Sequence, residues 1–150
     1  MKPVKELRIE WAPASRKPAL RALLAEFAAA IGEPAPDAEG FARITRALDD
    51  GRIAFALASD GADPIGMCSL TAGFSTYGAA PFGLVDDPCV DPTRRGGGVA
   101  RALLEAVTAE ARSRGCRSLL IGCSDGDVGM WKHFGFRKIG NLMATDLPGS

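Results

Sequence analysis

The stretch Val90-Asp91-Pro92-Thr93-Arg94-Arg95-Gly96-Gly97-Gly98-Val99-Ala100-Arg101-Ala102-Leu103-Leu104 decides how the rest of the chain reads. It passes from a strand-like segment through consecutive glycines into a helical pattern. Glycine carries no Cβ, so a backbone of this kind can fold tightly against a ligand. The helix that follows leaves its first N–H groups without intrahelical acceptors and adds the positive end of its dipole, which together make an anion site. Arg94 and Arg95 add positive charge at the turn. The combination suits a pyrophosphate.

Two common phosphate loops do not fit. A Walker loop ends in Gly-Lys-Ser/Thr, whereas this turn ends Gly98-Val99-Ala100. A dinucleotide fingerprint needs Gly-x-Gly-x-x-Gly, and counting from Gly96 puts Arg101 in the third glycine's place. A third pattern, Arg-x-x-Gly-x-Gly/Ala before a Leu-Leu helix, fits from Arg95 to Ala100 at every position.

Working outward, Leu7, Ile9 and Trp11 alternate with Arg8 and Glu10, the period of a half-buried strand. Ser15 and Pro18 mark a helix start, and Leu20, Leu23, Leu24, Phe27 and Ile31 fall on one of its faces. Asp37 caps a second helix with Phe41, Ile44 and Leu48 inward. Residues 53–59 and 64–72 read as strands joined by a turn at Asp60-Gly61-Ala62-Asp63. Residues 73–81 read as irregular and 82–90 as a strand interrupted by Pro88. A proline cannot donate to a ladder, so it predicts a bulge or a local parting of strands. A long helix over 99–114, an apolar strand over 118–123 covered on both faces, a short helix over 125–134 and a last strand over 136–146 complete the order. Hairpins combined with a βαβ crossover predict a single α/β domain over residues 1–150, with helices on both faces of its sheet.

Composition narrows the function classes. The chain has 150 residues, 47% of them apolar, enough for one core. No apolar run approaches the roughly 20 residues of a membrane helix, and the N-terminus does not read as a secretory signal, so a cytoplasmic protein without membrane partners is expected. Lys plus Arg is 18 and Asp plus Glu is 18. Such a balance speaks against nucleic acid as a partner. Cys68, Cys89, Cys116 and Cys123 form no Cys-x-x-Cys pair and His133 is the sole histidine, so no metal is expected and the cysteines read as small buried residues of a reduced protein.

The run from Val90 to Leu104 resembles the acetyl-CoA signature of the GNAT N-acetyltransferase superfamily. Trp131-Lys132-His133-Phe134-Gly135-Phe136 is similar to that superfamily's C-terminal Tyr-x-x-x-Gly-Phe motif, and the element order agrees from end to end. The resemblance implies a mixed, mostly antiparallel sheet with helices on both faces, parted at the central parallel strands, and an enzyme that transfers acetyl from acetyl-CoA directly to a primary amine of a small molecule, commonly as a homodimer. It implies that Arg95, Gly96, Gly97, Gly98, Val99, Ala100 and Arg101 hold the pyrophosphate, that Pro88, Cys89 and Val90 bond the pantetheine arm, and that Ser124 and Trp131 complete the cofactor site. Peptide acetylation and a non-catalytic acyl-CoA-binding module are the alternatives.

Acetyl transfer needs a group to take the amine's proton and donors for the developing oxyanion. Asp86 and Asp87 precede the expected parting. By spacing alone the pair reads equally as a solvated turn or as a functional site, and strand alternation lets only one line a given face. Within the superfamily the chain looks most like the spermidine/spermine (diamine) acetyltransferases, with Phe74-Ser75-Thr76-Tyr77 matching an upstream stretch. That likeness implies Asp86 as general base and Asp87 as the carboxylate that receives a substrate ammonium. Glu33, Asp37 and Glu39 read either as further acids favouring a cation or as loop and cap residues. Three departures stand out. Trp131 replaces a tyrosine whose hydroxyl could protonate the leaving thiolate, Ser124 replaces an asparagine, and Asp127 replaces a small apolar residue. Cys123, Ser124, Tyr77 or water are the other candidates for the acid.

Overall fold

The computed structural model describes residues 2–149. Met1 and Ser150, the two ends of the expected domain, lie outside the described residues. Five strands form one sheet in chain order: β1 (Leu7–Trp11), β2 (Ala54–Asp60), β3 (Asp63–Ser75), β4 (Ala80–Val90) and β5 (Leu119–Ile121). All neighbours are antiparallel except β4 and β5, which are parallel. Helices α1 (Lys17–Ala30) and α2 (Ala38–Asp49) cover one face and α3 (Val99–Ser113) the other, while α4 (Val128–His133) follows β5. This is the mixed α/β fold expected.

The faces follow from residue size. On α3, Val99, Leu103, Val107 and Ala111 recur every four residues and are buried. They meet Ala56, Ala58, Leu70 and Val85 of the sheet. On the opposite face Leu20, Leu23 and Leu24 of α1 bury against Phe55, Leu57 and Met67. Strand alternation therefore sends successive residues of β2 and β3 into two separate cores.

Local signals hold in part. Asp37 caps α2 by accepting a hydrogen bond from the Gly40 N–H at 2.7 Å. Pro18 sits in the first turn of α1, but Ser15 makes no cap, because a 3-10 turn over Ala14–Arg16 precedes the helix. Ile31 caps the far end of α1 and is exposed instead of facing the core. Residues 73–81 are more regular than expected. Ser75 pairs with Ala80, so the β3–β4 hairpin runs almost to its tip, and Tyr77 there is fully exposed.

Two expectations fail at the C-terminal side. The apolar run 118–123 yields only a three-residue β5, half-buried and paired to β4 alone. The strand expected over 136–146 is not formed, and among the described residues nothing pairs with the outer edge of β5. The physical reason lies in what 136–146 would have to bury. Ile139, Leu142 and Met143 are exposed, and strand alternation without a buried face gives no register to hold.

Candidate functional site

The glycine turn is built from both sides. Gly96 and Gly98 adopt φ of +83° and +80°, the left-handed region that other residues enter at a cost. A Cβ on Gly97 would stand 3.0 Å from the Val4 side chain, so the N-terminal segment presses against the turn. Lys2 N–H donates to the Thr93 carbonyl at 2.7 Å, fixing that segment further. The result is a backbone pointing outward. Among the described residues, the N–H groups of 96–101 have no hydrogen-bond acceptor, and the α3 ladder begins only with Ala102 N–H donating to the Gly98 carbonyl at 3.0 Å. Val99 is buried, so only its backbone is presented, while Arg95, Ala100 and Arg101 are exposed. The Arg101 guanidinium lies over the Phe134 ring at 5.3 Å.

Arg94 does something other than expected. Its guanidinium turns away from the turn into an ion pair with Asp60, with Asp63 at 3.1 Å, and is largely buried. Asp60 in turn accepts the Glu6 and Lys5 N–H groups, at 2.8 and 3.1 Å. Those bonds, the Glu6 N–H foremost and Arg94 next, hold its carboxyl below the ordinary value. Arg94 is thus a brace between the turn and the β2–β3 hairpin, and of the two arginines only Arg95 is left to meet an anion.

Downstream of Val85 the parallel ladder stops. Gly83, Leu84 and Val85 pair with Leu119, Leu120 and Ile121, and from Asp86 to Val90 β4 has no partner on that side among the described residues. On its other side Ser69 pairs with Asp86 and Met67 with Cys89, a bulge that places one extra residue on β4. The bulge contains Asp87 at φ +52°, a strained value for a residue with a side chain. Pro88, in an exposed position, lies within the same unpaired stretch.

The left-handed residue breaks strand alternation, which corrects the expectation that only one aspartate could line a face. Asp86 shares the face of its ladder partner Ser69. Asp87 reaches that face too, where its carboxylate accepts the Ser69 hydroxyl at 2.9 Å. Asp86 is exposed and accepts the Asp87 N–H at 2.9 Å. Asp87 is half-buried. Burial raises its pKa, the neighbouring Asp86 charge adds to that, and the Ser69 bond opposes it. Ser69, 1% exposed, had no motif to mark it. Its one signal was a polar residue within the apolar run from Ile65 to Leu70.

All four cysteines are free; Cys68 is buried and Cys89 and Cys116 are half-buried, but Cys123 is exposed against expectation, because β5 already ends at Ile121. Burial pushes Cys68 up to about 12 and Cys89 up to about 11. Trp131 is buried, packed against Phe136 at 5.4 Å and Phe134 at 5.9 Å. It lines a cleft of about 1340 Å³ that also has Asp86, Leu104, Ile121 and Cys123 in its walls. Ser124 bonds Asp127 at 2.9 Å and sits at the entrance to α4. His133 is exposed beside Phe134, and Tyr77 stands at a hairpin tip. Of the expected acids, Asp37 is used as a cap and Glu39 pairs with Arg43 at 2.9 Å. No helix is long and apolar enough to cross a membrane, and no group of metal-ligating residues occurs among the described residues.

Comparison with known proteins agrees with this fold. A stretch of 72 residues, 48% of the chain, is 32% identical to a glucosamine 6-phosphate N-acetyltransferase of Trypanosoma brucei brucei, and spans about half that relative's length (49%). A Trypanosoma brucei acetyltransferase structure superposes with a TM-score of 0.78 over 95% of this chain and 100% of its own, at 24% identity. A predicted acetyltransferase of Clostridium acetobutylicum, solved with acetyl-CoA, superposes with a TM-score of 0.80 over 93% of this chain and 96% of its own, at 18% identity. Residues 17–136, covering all four helices and four of the five strands, match the profile of one family. On that match the chain belongs to the acetyltransferase (GNAT) family.

Proposed function

We propose that the protein is an acetyl-CoA-dependent N-acetyltransferase, acting as a single domain on a primary amine of a small molecule. The observation that carries this reading is the row of acceptor-free N–H groups at 96–101, standing beside a strand that parts next to two carboxylates. The donor set fits a pyrophosphate-bearing acyl thioester: unpaired amides at a helix N-terminus, the exposed Arg95 side chain, and a free strand edge for an amide-rich arm. When bound, acetyl-CoA supplies an activated acetyl group with a thiolate leaving group.

The chain's own residues then divide the work. The amides of 96–101 and Arg95 hold the pyrophosphate. The backbone of Pro88, Cys89 and Val90 holds the arm along β4 and orients the acetyl carbonyl. Val99 contributes through its N–H alone. Asp86, exposed at the parting, accepts the amine proton directly or through a water. Asp87 receives the ammonium form of the substrate, and Ser69 fixes its rotamer. The buried Trp131 shapes the far wall of the cofactor cleft, where indole donates a hydrogen bond but no proton, and Ser124 stands between two wall residues, Cys123 and Asp125, to meet the coenzyme at the entrance to α4. None of the chain's side chains is assigned as a dedicated acid for the coenzyme thiolate, which would need none as a weakly basic leaving group. The family's N-acetyltransferase relative named for glucosamine 6-phosphate supports a small-molecule acceptor. A homodimer is supported by the open edge of β5 and the exposed apolar residues that follow it.

A thiol-release assay with acetyl-CoA and a panel of amines tests the reading. Release above background with at least one small amine is expected. Tight binding of acetyl-CoA with no release across the panel would replace the enzyme with a non-catalytic acyl-CoA-binding module.

A further inference from the structure

A groove of about 650 Å³ opens on the α1–α2 face of the sheet. Its rim is the α1–α2 loop from Pro34 to Asp37. Arg43 of α2 and Arg52, just before β2, supply cations, and Thr71 of β3 lies in its floor. The groove adjoins the carboxylate pair. Thr71 and Ser69 are two residues apart on one strand, so they share a face and stand about 7 Å apart. Ser69 holds Asp87 and is the ladder partner of Asp86. Leu84, the partner of Thr71, is 37% exposed and lines the cofactor cleft together with Asp86, so the strand pair links that cleft to the groove.

The charges around the groove are not those of a polyamine site. Asp37, the acid on its rim, is committed to the Gly40 N–H. Glu39 stands 2.9 Å from Arg43 and Asp50 stands 3.9 Å from Arg52, and all four side chains are more than half exposed. Exposed ion pairs are weak, so either guanidinium can exchange its surface carboxylate for a ligand anion at little cost. A guanidinium fork also matches the oxygens of a phosphate or carboxylate. One end of this stretch of β3 and β4 therefore offers carboxylates to an ammonium, and the other offers two guanidinium groups to an anion.

Building on the acetyl-transfer reading above, on which the inference rests, we propose that Arg43 and Arg52 form an anion subsite. The acceptor is then a primary amine that carries a phosphate or carboxylate, not a polyamine.

Calorimetric titration of the full chain loaded with coenzyme A tests this with two matched pairs, glucosamine against glucosamine 6-phosphate and putrescine against γ-aminobutyrate. In each pair the anionic member should bind about tenfold tighter or better, the scale of one charge-assisted contact. The double variant Arg43→Gln/Arg52→Gln should lose that preference while circular dichroism and acetyl-CoA affinity stay as in the wild type. A preference for the phosphate alone, or for the carboxylate alone, identifies which anion the subsite takes. Equal binding within both pairs, tighter binding of putrescine, no binding of either anionic member, or a preference that survives in the double variant overturns the subsite. Thiol release with the same compounds separates the two readings. An arginine-dependent binding preference without turnover keeps the subsite and sinks the enzyme. Turnover with no such preference does the reverse.

Discussion

At the scale of single residues, the two aspartates carry opposite expectations. Asp86 is exposed, next to the parted strand, and serves structure only through a bond to its neighbour's N–H. Asp86→Asn keeps that bond and removes the base. The expected result is a loss of about 10²–10⁴ in kcat with acetyl-CoA affinity unchanged by calorimetry, and an unchanged kcat would remove the role. Asp87 is half-buried and strained at φ +52°, with its pKa raised by burial. A raised carboxylate favours the protonated native state. Its charge therefore costs nothing below the ordinary value of 3.8, and the cost grows as pH rises through the higher native value. Asp87→Asn should accordingly raise the Tm above that window and flatten its fall with pH, while turnover drops. A lower Tm at neutral pH would mean that the carboxylate is structural. None of the geometry behind this was legible from the letters Asp86-Asp87. The rule of alternation assumes extended backbone, and Pro88 advertised a bulge without saying which residue would turn left-handed. Ser69 shows locally only as a polar residue within an apolar run, since its partner lies 18 residues away and no motif joins them.

At the scale of elements, the turn before α3 is where sequence and structure agree most closely. Consecutive glycines, a helix start and a neighbouring strand are local facts, and local facts survive folding. Gly98 sits at φ +80° with open space around it, so Gly98→Ala tests conformation rather than a clash. It should destabilise by about 1–2 kcal/mol, the usual left-handed penalty. By tilting the amides of 96–101 it should also weaken acetyl-CoA binding. Equal affinity for the two forms would mean that the amides do not hold the coenzyme. Arg94 was misread because its partners lie in a hairpin 31 and 34 residues earlier. Its expected effect is on stability. Asp60 is stabilised as a carboxylate, first by the Glu6 N–H and then by Arg94. That contribution is complete above 3.8 and fades as pH falls through the depressed native value. Arg94→Ala should therefore lower the Tm at neutral pH and reduce the part of the acid loss that falls below pH 4, read by thermal melts across pH. A melt profile parallel to that of the wild type would dissociate the arginine from the hairpin.

At the scale of the whole molecule, the question is what finishes the sheet. The order of helices and strands up to β5 was readable, because caps, breakers and hydrophobic periods are written in short windows. A closing strand is not of that kind. It needs a partner edge and a face to bury, and residues 136–146 find neither within the described chain although β5 has an edge open beside them. Unpaired edges next to exposed apolar side chains are prone to pair with another chain. Ile139, Leu142, Met143 and Leu147 are 67–90% exposed, more apolar surface than an isolated tail of this length would carry for solubility. A second copy that lends its own 136–146 segment, or covers this one, would bury those side chains and extend the sheet past β5. Sedimentation of the full chain should accordingly give a dimer. Leu142→Ser/Met143→Ser should give a monomer with the same circular dichroism, since neither side chain belongs to the two cores around β2 and β3. A wild-type monomer at micromolar concentration would remove the second copy from the picture. A dimer that the double substitution leaves intact would move the interface elsewhere on the molecule.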